Sequence, residues 1–377
     1  MKYLFILGRN KELSLAELHS YFGNKILNVS LYKNTVLIDL KDKLESNTID
    51  QLGGTISIGE VLVSTRKFDD LLEQIEKIPI TIQANNKLNY VLWDFSPNNV
   101  EDLEDYLKKR FKKEKYKASQ KNITGKLKLS SGKIIENLPA DANIDEQYFL
   151  FQDKDFYFGK ITQIYDSASQ EKRDMKKPVR REELAISPRL AKIMINLSQV
   201  KEKELLVDPF CGIGVILQEA LLKKIRVLGI DKNDDAIKGA KQNLEWMHFD
   251  KDAYKLLIGD SRSIQIPFPS VCVTEPDLGI ILKTPPTEQE AKEIIGKFEK
   301  LIVIVINNIK RNIKGKIVFT TPLIKVKNKQ KSRVGCNANK ILEKTGLRLS
   351  TLPEIRLPLE EYRENQIVGR QIFILER

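Results

Sequence analysis

Cysteine and histidine are scarce in this chain of 377 residues. Cys211, Cys272 and Cys336 are an odd number with no CxxC pair, which excludes a secreted disulfide framework and a structural zinc ribbon. With His19 and His248 as the only histidines, a His-rich metal centre is excluded too, and no metal is expected. Long apolar runs are missing. The greasiest, Leu301 to Ile306, falls far short of the ~20 residues that cross a bilayer. The opening MKYLFILGRNKEL is too short an apolar stretch for a secretion signal and reads as a β-strand, so a cytoplasmic protein with no membrane partner is expected. Glycine (19) and proline (14) are at ordinary levels, and no tandem repeat or long low-complexity stretch is present, which removes collagen-like, mucin-like and disordered classes.

What the chain has in excess is positive charge: 63 Lys and Arg against 51 Asp and Glu, a net charge of +12. A polyanion is therefore the leading partner, nucleic acid ahead of an anionic membrane because no basic amphipathic anchor is found. Lys108, Lys109, Arg110, Lys112, Lys113, Lys115, Lys117, Lys121, Lys126, Lys128 and Lys133 fall in one run with Glu114 as its single acid. Lys325, Lys327, Lys329, Lys331 and Arg333 form a second run. The first run has a plainer reading as well: Glu101, Asp102, Glu104 and Asp105 open a helix that Lys108 to Lys113 close, which suits the helix dipole without a ligand.

At about 150 residues per domain the length predicts two or three units. The first ~65 residues alternate strand and helix: a strand over Lys2–Leu7, a helix opened by Ser14 and Glu17 as a capping box, and two β-segments turned at Lys33-Asn34. A second α+β unit follows, in which Val100, Leu103, Leu107 and Phe111 recur at helical spacing and define a buried stripe. Its last strands are expected near Tyr148–Phe151 and Phe156–Ile164. Asp166 to Glu183 is polar and reads as a linker. From Pro188 short apolar strands alternate with helices, the pattern of a parallel sheet covered by helices, ending in an antiparallel hairpin at Leu347–Leu352 and Gln371–Leu375.

LLVDPFCGIGVILQEA, residues 205–220, carries the chemistry. A strand ends at Asp208, Phe210 follows, and Gly212 and Gly214 form a tight turn where a backbone can approach a ligand closely. The next strand ends at Asp231, a carboxylate placed to accept from two ribose hydroxyls. Asp260 and Ser261 follow the third strand, where either could meet an adenine edge. A dinucleotide fingerprint would want glycine where Leu217 stands. Asp208 is poorly placed for a pyrophosphate and well placed for an ammonium, which selects S-adenosylmethionine. The plain alternative is that Asp208 and Asp231 cap helices.

DPFCGIGVILQEA and GIDKNDDAIKGAKQNLEW resemble the cofactor motifs of class I RNA methyltransferases. More narrowly the chain is similar to the THUMP-containing tRNA (guanine-N2) methyltransferases of archaeal type, which modify guanine ten. FYFGKITQIYDSASQEKRDMKKPVRREELAISPRLAKIMINL resembles that family's junction between the last THUMP strand and the catalytic sheet. The resemblance implies a ferredoxin-like domain over residues 1–64, a THUMP RNA-binding domain over 65–166, a linker over 167–186 and a Rossmann-like class I methyltransferase domain over 187–377. It also implies transfer from S-adenosylmethionine to the exocyclic amine of a tRNA guanosine; a monomer is expected, with a small activator subunit left open. No SGGxDS loop is present, which disfavours thiouridine-forming relatives.

The fourth strand ends VCVTEPDLG, where amino-methylating relatives carry Asp or Asn, two prolines and an aromatic residue. A conjugated exocyclic amine is a poor nucleophile and needs acceptors on its NH2. Glu275 offers a carboxylate, the Pro276 carbonyl a second acceptor, and Asp277 stands where the aromatic residue is expected. Cys272 is expected to pack inward and Cys211 to be a tolerated small residue, so methylation at pyrimidine carbon through a thiolate is disfavoured. Three alternatives remain at this point: a tRNA-binding protein that has lost catalysis, a methylase of another RNA amine, and, more weakly, a nicotinamide-dependent oxidoreductase.

Overall fold

The structure, a computed structural model, describes all residues except 81–85, 122–124, 129–133, 138–142, 181–185, 280–281 and 328–331; of 125–128 and 134–137 it describes the backbone. The chain forms two compact units. The first comprises Met1–Gly8, Asn24–Asp50 and Thr55–Tyr165, and the second Arg9–Gly23, Gln51–Gly54 and Asp166–Arg377.

In the first unit one eight-stranded sheet contains β1 (Lys2–Leu7), β2 (Ile26–Tyr32), β3 (Thr35–Leu40), β4 (Thr55–Thr65), β5 (Lys87–Phe95), β6 (Lys117–Gln120), β9 (Glu146–Gln152) and β10 (Phe156–Ile164). Their order is β2-β3-β1-β4-β10-β9-β5-β6. Between β6 and β9, β7 (Gly125–Lys128) and β8 (Ile134–Asn137) pair as a separate hairpin. The β2–β3 turn falls at Lys33-Asn34 as expected, with Lys33 in the left-handed region at φ +52°. Helices α2 (Phe68–Glu76) and α3 (Val100–Lys113) supply Leu71, Ile75, Leu103, Leu107 and Phe111 to a core shared with Leu88, Tyr90, Tyr148 and Phe158. The stripe read from the sequence is therefore the packed face of α3, each large side chain contributing about 1.5–3 kcal/mol when withdrawn from water.

The second unit is built on β11 (Leu205–Asp208), β12 (Arg226–Asp231), β13 (Tyr254–Ile258), β14 (Val271–Thr274), β15 (Ile317–Lys325), β16 (Arg333–Val334), β17 (Arg348–Leu349), β18 (Leu359–Glu361) and β19 (Val368–Glu376). The main order is β13-β12-β11-β14-β15-β19-β17. Strands from β13 to β15 run parallel, and β19 is antiparallel to both β15 and β17. Neighbouring residues of one strand feed different cores. Leu206, Val271, Val273, Ile372 and Ile374 enter one, and Val207, Cys272, Phe373 and Leu375 the other. That is the period-two alternation of a sheet buried on both faces, and it explains why these strands read as continuous apolar runs. One core is completed by α5 (Pro188–Ser198) and α6 (Val215–Leu222), the other by α8 (Glu288–Ile309).

Two local readings are corrected. The helix α1 (Lys11–Phe22) begins before Ser14 and is capped by Asn10, whose Oδ1 accepts from Leu13 N at 3.1 Å. Ser14 and Glu17 lie inside it: Ser14 Oγ donates to Gly54 O, and the buried Glu17 carboxylate accepts from Gly53 N, Gly54 N and Asn196 Nδ2, each at 2.7 Å. Within the stretch read as a linker, Ser167–Lys176 forms α4, capped by Asp166. No residue of α4 is buried, which is why no apolar period announced it.

Candidate functional site

The turn between β11 and α6 joins two strand tips. Gly212 and Gly214 have φ of +53° and +86°, conformations that strain any residue with a Cβ. An added Cβ at Gly212 would meet nothing within 4 Å, so its outer side is open. Cys211 N donates to Ile230 O at 2.9 Å, tying the turn to β12. Asp231, at the end of β12, accepts from Gly212 N at 3.0 Å through Oδ2 and from Asn233 N at 2.9 Å through Oδ1. Asn233 caps α7 (Asp234–Trp246).

Asp208 is 1 % exposed. Its Oδ1 accepts from Thr274 Oγ1 at 2.6 Å and from Phe210 N at 3.1 Å. Among the described residues no side-chain cation pairs with it. Burial pushes its pKa from an ordinary 3.8 to about 7, the Thr274 and Phe210 bonds opposing and the nearby Asp231 and Glu275 carboxylates adding. Phe210 is half-buried against the core. Asp260 is held by the Arg262 guanidinium, whose hydrogen bonds bring its carboxyl down to about 2. Ser261 is buried, and its hydroxyl donates to Pro209 O, tying the segment after β13 to the glycine turn.

At the end of β14 the geometry differs. The Glu275 side chain is 8 % exposed and forms an ion pair with Arg370 of β19, itself 10 % exposed. Arg370 Nε donates to Oε1 at 2.6 Å, an Nη to Oε2 at 3.2 Å, and Thr320 Oγ1 to Oε1 at 3.3 Å. Burial opposes the Arg370 charge, and the Glu275 carboxylate, with Glu361 adding, outweighs it and raises the pKa. Pro276 is buried, while Asp277 is exposed and accepts from Gly279 N at 3.0 Å. Sequence reasoning missed Arg370, Thr320 and Thr274. The available signal was Arg370 itself, a charge at the start of a strand, VGRQIFILE, whose IFIL run is fully buried.

Of the basic residues singled out, Lys108, Lys109, Lys112, Lys113, Lys115 and Lys117 are exposed on or just after α3. Lys108 lies 3.4 Å from Asp105, and Lys113 2.6 Å from Glu76. Arg110 does not join that surface: it is 5 % exposed and donates to Ile75 O, Ile78 O and Glu114. Arg333 is likewise structural, its guanidinium donating to the carbonyls of Leu323, Ile367, Arg363 and Gln366 and lying 4.1 Å from the Tyr362 ring. Lys325 is half-buried beside Glu364 O, and Lys327 is exposed. Lys133, Lys329 and Lys331, and the side chains of Lys126 and Lys128, lie outside the described residues. The thiols of Cys211 and Cys272 are buried, and burial pushes both up, away from thiolate chemistry. Among the described residues no helix is long and apolar enough to cross a membrane.

Comparison with known proteins adds the following. The family described as RMKL-like, methyltransferase domain, matches residues 177–290. A tRNA (guanine(10)-N2)-dimethyltransferase of Methanothermobacter thermautotrophicus is 37% identical over 101 residues, 26% of this chain and 30% of that protein. One of the same name from Pyrococcus abyssi is 33% identical over 130 residues, 33% of this chain and 37% of that protein. The chain thus spans about a third of the length of these curated relatives. The crystal structure of TrmN from Thermus thermophilus superposes with a TM-score of 0.51 at 14% identity, covering 100% of both chains. The second unit has the mixed α/β sheet of the class I methyltransferase fold.

Proposed function

We propose that this chain transfers a methyl group from S-adenosylmethionine to the exocyclic N2 amine of a tRNA guanosine, at position 10 by analogy with the named relatives. The observation that carries the cofactor assignment is Asp208: a buried carboxylate without a side-chain cation among the described residues, beside a turn of two left-handed glycines whose neighbouring strand ends in Asp231. These residues fit the donor. Asp208 would take its ammonium, Asp231 its ribose hydroxyls, Ser261 or Asp260 its adenine edge, and the open side of Gly212 its close approach; Phe210 supports the turn. When bound, the cofactor supplies a methyl group activated on a sulfonium.

The chain's own part is to hold and orient. Glu275 and the Pro276 carbonyl are two acceptors for the two N–H bonds of an exocyclic amine, which localises its lone pair, and Asp277 is an exposed acid at the mouth of the same tip. Lys108, Lys109, Lys112, Lys113, Lys115 and Lys117 of the first unit, and Lys325 and Lys327 of the second, would meet phosphates, which position an RNA without specifying it.

Incubation of the purified protein with unmodified tRNA and radioactive S-adenosylmethionine, followed by nucleoside mapping, tests the reading. Label in N2-methylguanosine or N2,N2-dimethylguanosine is expected, and label in any other nucleoside, or in none, overturns it. Asp231→Ala is expected to weaken cofactor affinity roughly 100-fold, as loss of hydrogen bonds to a carboxylate implies. A second reading, tRNA binding without transfer, is favoured by Asp277 standing in the aromatic position of the tip. Tight cofactor binding with no label in tRNA would select it.

A further inference from the structure

We propose that Arg370 is a positioning residue for this transfer, fixing the Glu275 carboxylate in one orientation so that a single lone-pair direction faces the substrate amine. The inference rests on the reading of the β14 tip as the amine site. Glutamate is one methylene longer than the aspartate expected there, and a free glutamate would sweep its carboxylate through several rotamers. Here Arg370 Nε and an Nη take one oxygen each, at 2.6 and 3.2 Å, and Thr320 Oγ1 adds a contact to Oε1 at 3.3 Å. A planar guanidinium holding both oxygens removes the torsional freedom that a single-point cation would leave.

A second carboxylate also acts on Arg370. The other carboxylate near it, Glu361 on β18, is occupied by the start of the α1 segment: Arg9 pairs with Oε1, and Asn10 Nδ2 donates to Oε2 at 2.6 Å. Asn10 also caps α1. Glu361 is thereby held by its own donors and does not draw Arg370 off Glu275. In the transfer itself the amine nitrogen's lone pair forms the new N–C bond as the C–S bond breaks onto sulfur, leaving a neutral thioether. The proton released at nitrogen goes to solvent, and Glu275, held in place by Arg370, accepts a hydrogen bond throughout.

The test compares Arg370→Gln and Arg370→Lys with the wild-type chain by single-turnover methylation of tRNA. Cofactor calorimetry, tRNA binding, melting curves and a refined structure of each variant accompany it. A glutamine is expected to lower kcat about 100-fold, the penalty of a reacting group misplaced by about 1 Å, with tRNA KM and cofactor affinity within about two-fold of wild type. Lysine, which keeps the buried pair neutral without clamping it, should recover roughly ten-fold of that loss. The glutamine variant's structure should show the Glu275 carboxylate turned from its wild-type orientation. A merely structural role would instead lower stability and raise KM with kcat unchanged, and either that pattern or a wild-type kcat in Arg370→Gln overturns the proposal. If glutamine abolishes folding, the lysine variant decides, because a wild-type kcat there overturns it equally. A wild-type chain that labels no tRNA defeats the functional reading itself. Labelling by wild type with undiminished kcat in both variants defeats the positioning role alone.

Discussion

Two carboxylates at adjacent strand tips, Asp208 on β11 and Glu275 after β14, are both largely withdrawn from water and oppositely treated. Glu275 is given a cation by the chain, Arg370, in a two-point clamp. Asp208 receives a hydroxyl and one backbone N–H, and burial raises its pKa to about 7. A buried charge is tolerated when it is paired, and strongly penalised when it is not. The difference therefore separates a carboxylate whose electrostatic partner belongs to the fold from one suited to a cationic ligand.

The comparison breaks first, and with the largest effect, on pH. The folded pKa of Asp208 lies above its unfolded value, so the folded state binds the extra proton between pH 3.8 and about 7. Its contribution to stability is fully present below pH 3.8 and is lost as pH rises through about 7, a change on the order of 4 kcal/mol at about 1.4 kcal/mol per unit. Asp208→Asn should remove that slope and be more stable than wild type at pH 8, as read by denaturant melts of the cofactor-free protein at pH 5 and 8. Identical slopes in the two proteins would mean that Asp208 is not the strained group.

A somewhat smaller effect is expected in cofactor binding, and it concerns the same pair. Asp208→Asn should weaken S-adenosylmethionine binding by about 3 kcal/mol, more than 100-fold, through loss of a charge-assisted bond to the ammonium. Glu275→Gln, one strand away, should leave that affinity within about two-fold while lowering transfer. Calorimetry on both variants separates the roles, and equal losses would merge the two sites into one.

Glu17 sharpens the contrast as a third buried carboxylate, satisfied by backbone N–H groups and Asn196. Burial raises its pKa against those hydrogen bonds. Glu17→Ala leaves Gly53 N and Gly54 N without their acceptor and should destabilise the protein by about 2 kcal/mol, with cofactor affinity unchanged. A denaturant titration measures it, and an unaltered midpoint would show that water replaces the carboxylate.

The sequence announced the two carboxylates unequally for the same physical reason. Asp208, Gly212, Gly214 and Asp231 lie within 24 consecutive positions, and their roles follow from local backbone geometry: a strand end, left-handed φ values and a neighbouring strand tip. The strands buried on both faces were legible because such burial writes an apolar run, so Lys2–Leu7 and Val271–Thr274 fall where the pattern puts them. Arg370 stands 95 positions from Glu275, and only the antiparallel pairing of β15 with β19 brings it to the tip. Ser14 and Glu17 had the spacing of a capping box, yet Asn10 won the cap because Glu17 was claimed by the amides of Gly53 and Gly54. In each case what local reading missed was a tertiary hydrogen bond.

The smallest effects belong to the basic residues, where exposed and buried cations should part company in the same way. Lys112 and Lys117 are exposed, whereas Arg110 is spent on the carbonyls of Ile75 and Ile78. Neutralising the two lysines together, Lys112→Gln with Lys117→Gln, should weaken tRNA binding several-fold at low salt and reduce the slope of log affinity against log salt by about 2, one for each phosphate no longer neutralised. Melting behaviour should not change. Arg110→Met should do the reverse, lowering stability because buried carbonyls lose their donors, with the salt slope of the folded fraction preserved. Filter-binding titrations over a range of salt, paired with melts, distinguish the two. A lysine pair whose removal leaves the slope untouched would mean that this end of α3 is a solvated helix terminus satisfied by its own dipole, and that the RNA-facing surface must be sought among other cations.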